Sequence, residues 1–143
     1  MKEHTVICDR ISRWTGYYRG ILREITTWNT DPTTRENYWA LYVSVYSTIL
    51  SANDFEDFWL TDDNYWKVED KWTNCSWHRG VTFYEKKENR HCNREMVKTV
   101  KIGCDYDHDG DKNMVKNEHI LLKDSEIIID ELHEIYNFIK RKL

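Results

Sequence analysis

Two short segments of the sequence combine residue types that could bind or transform a polar ligand. The first is the run Trp77-His78-Arg79, with Thr82 close behind it. An imidazole and a guanidinium beside a tryptophan offer a proton carrier, a fork for carboxylate or phosphate, and a ring on which a base can stack. The same residues also suit an ordinary strand entry with the aromatic side chain in the core. The segment therefore predicts a ligand-binding site or, alternatively, a structural turn.

The second segment, residues 105–113, interleaves carboxylates with a histidine and a glycine. A histidine between carboxylates can carry a proton or donate to a polar ligand, and a glycine lets the backbone turn tightly beside that ligand. The segment therefore adds four candidate ligand contacts: Asp105, His108, Gly110 and Asp111.

The second segment also matches half of a calcium-binding loop. Asp105, Asp107 and Asp109 fall at its first, third and fifth positions, and Gly110 falls at the sixth. The twelfth position should carry a bidentate glutamate but is Lys116. The pattern fits either a weak calcium site or a solvated acidic turn, and no cofactor is otherwise expected.

The four cysteines do not form a recognisable metal or redox motif. Cys8, Cys75, Cys92 and Cys104 include no C-x-x-C pair, which excludes a zinc ribbon and a thioredoxin-like site. We expect reduced thiols in a cytosol, partly buried as small hydrophobic groups. A mixed cysteine and histidine metal site stays open.

Strand patterns flank both candidate segments. Residues 38–49 alternate apolar and more polar side chains, which predicts a strand with one wetter face, and residues 96–104 alternate in the same way. Residues 80–84 have high strand propensity, whereas residues 85–95 are so charged that they favour a hairpin-like excursion.

Helical patterns are clearest near the C-terminus. From Ser125 to Leu143 the sequence places Ile128, Leu132, Ile135 and Ile139 on one face of a helix that Asp124 or Ser125 would cap. Residues 51–63 predict a loop or short helix. Residues 1–28 have no clean period, although Ile21, Leu22 and Ile25 could share a helical face.

These patterns predict an α+β fold in which an antiparallel sheet carries a C-terminal amphipathic helix on one face. The length of 143 residues suits a single domain over residues 1–143. The 21 basic and 25 acidic residues leave a net charge of −4, which argues against binding extended nucleic acid. Apolar runs are too short for a membrane span and no signal peptide is apparent, so we expect the protein to lie in the cytosol.

Aromatic residues make up 14% of the sequence, including seven tryptophans and nine tyrosines. Such a composition predicts a folded chain, because disordered chains are poor in aromatic residues. Trp39 and Phe83 lie in strand patterns, so we expect them in the core. Trp77 and Tyr84 lie beside the polar segments, so we expect them to stack on a ligand.

Taken together, the motifs resemble those of a family of small uncharacterised proteins of bacteriophages and mobile elements. That family shows an H-G-G-[LI]-T-[FY] strand start, a G-[FW]-D-C-x-H-x-G-D loop, an upstream G-Y-V-x-V-P strand and a C-terminal helix. The residues that match its motifs are His78, Gly80, Thr82, Gly103, Asp105, His108, Gly110, Asp111, Tyr42, Val43 and Val45. Arg79 stands where the family has glycine, Cys104 replaces the aromatic residue before the aspartate, and the proline is absent.

The resemblance implies a phage counter-defence protein that acts in the host-cell cytosol, and three functions stay open. The first is a binding module that sequesters a small anionic nucleotide-like immune signal. The second is a hydrolase of such a signal, with His78 and His108 as the acid–base pair and Asp105 or Asp111 as the orienting carboxylate. The third is a protein inhibitor whose acidic segment 53–63 contacts a host factor, and the chain could also form a homo-oligomer.

Overall fold

The structure, a computed structural model, describes residues 4–8, 11–28, 38–61, 71–90, 96–106, 115 and 117–139. These residues form strands and helices with the following bounds: β1 (His4–Cys8), β2 (Ile11–Tyr18), β3 (Ile21–Trp28), β4 (Tyr38–Tyr46), α1 (Ala52–Trp59), β5 (Phe83–Arg90), β6 (Met96–Asp105) and α2 (His119–Ile135). Short 3-10 helices occupy Ser47–Ile49 and Lys71–Asn74.

The strands pair antiparallel in one sheet with the order β1-β2-β3-β4-β6-β5. Helices α1 and α2 and the Lys71–Asn74 helix bury their apolar side chains in the cluster that covers one face of this sheet. The predicted α+β class, an antiparallel sheet with a C-terminal helix on one face, is confirmed.

The N-terminal part of the chain is a strand hairpin and not a helix. Arg19 and Gly20 connect β2 to β3 with φ values of 49° and 84°, the left-handed pair that suits a two-residue hairpin turn. Ile21 and Ile25 are buried on the helix-covered face. Buried Arg23 lies between them, and it breaks the apolar alternation that would have indicated a strand.

Strand β4 follows the predicted alternation. Trp39, Leu41, Val43 and Val45 are buried toward the helices, while Tyr42 and the other even-numbered residues after it are only partly buried. The strand ends at Tyr46, because residues 47–49 turn into a 3-10 helix. The core positions expected from this segment, Trp39 among them, are confirmed.

The charged segment after residue 84 continues the sheet, so the predicted excursion is wrong. Strand β5 runs to Arg90 and pairs with β6 along its whole length. It lies at the edge of the sheet, where charged side chains discourage pairing with other chains. Strand β6 was predicted over residues 96–104 and extends one residue further, to Asp105.

Helix α1 shows that the acidic segment is helical. Ser51 caps it, because its Oγ accepts a hydrogen bond from the Asp54 N–H at 3.3 Å. Phe55 and Phe58 are buried on the side that meets the sheet.

Helix α2 begins and ends earlier than the sequence suggested. It starts at His119, whose N–H donates to the Asn117 side chain at 3.0 Å, and it ends at Ile135. Ser125 therefore lies inside the helix, where its hydroxyl accepts from buried Arg23 at 3.2 Å. Its buried face is formed by Leu121, Ser125, Ile128, Ile129 and Leu132. Ile135 and Ile139 are exposed, so that part of the predicted apolar face is wrong.

Gly103 determines how closely the aromatic side chains of β4 and β5 approach each other. It pairs with Tyr42 on one side and with Phe83 on the other. The Tyr42 and Phe83 rings meet edge to face above this position, with centroids 5.1 Å apart. A Cβ at Gly103 would lie 2.8 Å from the Leu41 carbonyl oxygen and closer still to the Tyr42 ring. Phe83 therefore belongs to this ring pair and not to the core.

Gly103→Ala should destabilise the protein by about 1–3 kcal/mol, because the added methyl group overpacks the site and forces the Tyr42 ring to move. Chemical denaturation measures the change, with Ser44→Ala on the neighbouring strand as a control that should shift stability by less than about 0.5 kcal/mol. Equal effects of the two substitutions would contradict the close packing at Gly103.

Candidate functional site

The first predicted segment forms a tight turn before β5. The Gly80 N–H donates to the Trp77 carbonyl at 3.1 Å, and the φ values of Arg79 and Gly80 are 56° and 90°. This left-handed conformation favours glycine, the residue that the resembled family has in place of Arg79. Arg79 and Thr82 are exposed at the surface.

Of the two aromatic residues expected to stack on a ligand, Trp77 lies in the core and Tyr84 is partly buried against it. Trp77 is 5% exposed, and its indole N–H donates to the Trp72 carbonyl at 2.8 Å. Tyr84 stacks on Trp72 with ring centroids 5.5 Å apart, and its hydroxyl donates to the Phe58 carbonyl. These contacts satisfy the indole N–H of Trp77 and the hydroxyl of Tyr84 inside the protein, so both side chains contribute to internal packing.

His78 meets the residue that follows β6. Its ring stacks on Tyr106 with centroids 4.3 Å apart and an interplanar angle of 8°. The Tyr106 hydroxyl donates to Asp124 Oδ2 on α2 at 2.6 Å, and burial raises the pKa of this tyrosine. The stack therefore joins the first predicted segment to the start of the second and to α2.

Much of the second predicted segment lies outside the described residues. His108, Gly110 and Asp111 belong to that part, as do Asp107 and Asp109 of the calcium pattern, so these interpretations stay predictions. In the part of the chain that the structure describes, no group of three or more His, Cys, Asp or Glu side chains could hold a metal ion.

The segments that carry the family-like motifs nevertheless lie side by side. Tyr42 pairs with Gly103, and Ala40 pairs with Asp105 at the end of β6. The Thr82 N–H donates to the Gly103 carbonyl at 2.9 Å. Strands β4, β6 and β5 thus bring the three motif segments to one end of the sheet.

Two cysteines are buried inside the protein. Cys75 and Cys104 are free thiols, and burial raises the pKa of each to about 12. The cysteines at positions 8 and 92 lie beyond the side chains that the structure describes.

The aromatic residues of the acidic segment are also used internally. Phe55 and Phe58 are buried, and partly buried Trp59 lies beneath two lysines. Lys86 Nζ and Lys98 Nζ are 5.4 and 4.9 Å from its ring centroid, and Lys86 also donates to the Trp59 carbonyl at 3.1 Å. The three aromatic side chains that suggested a protein interface at this segment therefore make contacts within the protein, whereas Leu60 is 72% exposed.

The face of the sheet opposite the helices, here called the open face, carries a different set of side chains. None of the described helices packs against it. Alternation and register assign the following residues to the open face: Arg13, Glu24, Tyr42, Ser44, Tyr46, Phe83, Glu85, Lys87, Asn89, Thr99, Lys101 and Asp105.

Lys101 lies at the centre of the open face. Its ammonium group is 4.6 Å from the Tyr42 ring centroid and 5.9 Å from that of Phe83. It also lies 3.2 Å from Glu24 Oε2, and Arg13 Nε approaches the same oxygen at 3.7 Å. We call Tyr42, Phe83 and Lys101 the platform, because they combine two rings with one cation.

Asp105 is the predicted site residue that contributes to the electrostatics of the open face. Burial, followed by the carboxylates of Glu24 and Asp105, raises the pKa of the Tyr42 phenol. A neutral phenol keeps its proton and can donate it to a ligand oxygen.

A shallow trough of about 200 Å³ adjoins the platform. It is lined by Ser44, Tyr46, Glu85, Lys87, Asn89, Thr99 and Lys101. Sequence reasoning missed this site because the segment of β5 was interpreted as an excursion. The alternation of Glu85, Lys87 and Asn89 was the available signal.

Comparisons with known proteins leave the family open: the chain matches no protein-family model, no curated protein and no solved structure. Among the helices that the structure describes, none is long and apolar enough to cross a membrane.

Cys75 and Cys104 should resist alkylation by iodoacetamide in the native protein at mildly alkaline pH. The thiolate is the reactive form, and a pKa of about 12 keeps both side chains protonated. Peptide mass spectrometry measures the modified fraction, and the same peptides alkylated in denaturant serve as the control. Rapid alkylation of both thiols in the native state would contradict their burial.

Proposed function

We propose that this protein binds and sequesters a small anionic nucleotide-like ligand on the open face of its sheet. The observation that carries the proposal is the position of Lys101, between two aromatic rings and a polar trough. A nucleotide combines a planar base with an anionic phosphate, and these are the two groups that rings and an ammonium bind.

The volume of the trough supports a ligand that covers both the trough and the platform. Pockets that enclose a drug-sized molecule usually measure about 300–1,000 Å³. A trough of about 200 Å³ holds only part of such a ligand. The base would then lie on Phe83 and Tyr42, with the phosphate beside Lys101.

Binding is favoured over turnover by the chemistry of the side chains. The platform and the trough present hydroxyl, phenol, amide, ammonium and carboxylate groups, which bind polar ligands, and no imidazole is among the side chains that line them. General acid–base catalysis works best with groups whose pKa lies near the working pH.

The biological setting of the proposal comes from the resemblance. In a phage-type counter-defence protein, sequestration of a nucleotide signal in the host cytosol would block the immune response that the signal triggers. Stoichiometric binding is sufficient for this role.

Lys101→Met should weaken binding of the ligand by roughly tenfold to a hundredfold, because a charge-assisted hydrogen bond contributes about 1.5–3 kcal/mol. Calorimetry of the full chain against cyclic nucleotides and ADP-ribose-type molecules identifies the ligand and measures its Kd. Lys98→Met is the matched control, since Lys98 contacts Trp59 on the opposite face of the same strand. Absence of binding across the panel, or equal losses in both variants, would contradict the proposal.

Recovery of the ligand separates sequestration from hydrolysis. Chromatography after incubation should return the ligand intact. New products that disappear in His78→Ala would instead establish the hydrolase, in which His78 acts as acid or base.

A further inference from the structure

We infer that the open face takes a dinucleotide, with one base on the platform, the second base in the trough and the linking phosphate at Lys101. The inference rests on the proposed function and names the chemical class of its ligand. It follows from a second set of ring and amide groups, which lies on the other side of Lys101 from the platform.

Register orders this part of the open face in three successive rows across β4, β6 and β5. The first row contains Tyr42, Gly103 and Phe83, the second contains Ser44, Lys101 and Glu85, and the third contains Tyr46, Thr99 and Lys87. Successive rows are about 7 Å apart, because side chains on one face of a strand recur at every second residue. Lys101 therefore lies between two rows that each contain aromatic side chains.

A single nucleotide, with its base on the platform and its phosphate at Lys101, uses only part of the trough. Tyr46 and Asn89 also line the trough. Tyr46 presents an aromatic ring, and the Asn89 amide can both donate and accept hydrogen bonds. A nucleobase is bound by these two kinds of group, a ring against its flat face and a hydrogen-bonding group at its edge. The trough is therefore suited to a second base.

Another aromatic side chain lies near Tyr46. Tyr17 is 55% exposed, and register places it in the row of Ser44 and Lys101, with Leu22 between Tyr17 and Ser44. Burial, followed by the charge of the nearby Tyr17 phenol, raises the pKa of Tyr46, so the Tyr46 hydroxyl keeps its proton for donation to a ligand. The trough end of the open face thus offers aromatic surface, as the platform does.

The row between the two aromatic sites suits the group that links two nucleosides. Lys101 offers an ammonium group and Ser44 a hydroxyl group, and both bind phosphate oxygens. Tyr42 and Tyr46 are four residues apart on β4, which separates their Cα atoms by about 13 Å. One base is too small to lie on both rings, whereas two bases joined through sugars and a phosphate can reach both.

Calorimetry of the full chain with the dinucleoside monophosphates ApA, GpG, CpC and UpU, each beside the cyclic mononucleotide of the same base, tests the inference. Both kinds of ligand carry one phosphodiester and one negative charge, so the comparison isolates the second nucleoside. At least one dinucleoside monophosphate should bind about fivefold or more tightly than its cyclic mononucleotide, as expected for stacking of one further base.

Tyr46→Thr should remove this advantage and leave the affinity for the cyclic mononucleotide unchanged, which also shows that the variant is folded. Asn89→Ala, at an exposed position of the edge strand, should reduce the advantage as well. Tyr38→Thr is the matched control, because alternation places Tyr38 on the same face of β4 but on the side of the platform away from Lys101. This control should keep the advantage.

Equal affinities for the two kinds of ligand would overturn the dinucleotide inference while the proposed function stands. The same conclusion would follow from an advantage that survives Tyr46→Thr and Asn89→Ala, or from one that Tyr38→Thr reduces as strongly as they do. Failure of every dinucleoside monophosphate and cyclic mononucleotide to bind would overturn both proposals.

Discussion

The stack of Phe58, Trp72 and Tyr84 joins three separate parts of the chain on one face of the sheet. Trp72 is completely buried, with ring centroids 6.2 Å from Phe58 and 5.5 Å from Tyr84. Its indole N–H donates to the Asp57 carbonyl at 3.1 Å, so the polar tip of the ring is satisfied as well. This stack connects α1, the Lys71–Asn74 helix and β5. Many of the described aromatic side chains pack, like these three, in or against the core on this face of the sheet.

That one-sided cover determines where a ligand can bind. Aromatic rings beside His78 are held in the core, whereas Tyr42 and Phe83 remain on the face that the described helices leave uncovered. Gly103 lets those two rings meet, and Lys101 lies against both of them. The packing of one face and the chemistry of the other are thus two consequences of the same alternation along β4, β6 and β5.

The sequence was most informative where alternation was strong, and least informative where charge hid it. Strands β4 and β6 were predicted closely. Strand β5 was missed because edge strands carry charged side chains, which oppose pairing with other chains and obscure the strand pattern in the sequence. Buried Arg23 hid β3 in the same way. Asp105, which its motif singled out, lies on the open face by register. Trp77 was expected beside a ligand but is buried, because its hydrogen bond to the Trp72 carbonyl depends on a turn that no sequence pattern reveals.

The most direct test of ligand binding on the open face is the set of intermolecular nuclear Overhauser effects between a bound nucleotide and the protein. We expect contacts from the base protons to the rings of Tyr42 and Phe83, and from the sugar protons to Thr99. Contacts to His78 and the turn that contains it, with none to the platform, would contradict this account and return the site to the segment before β5.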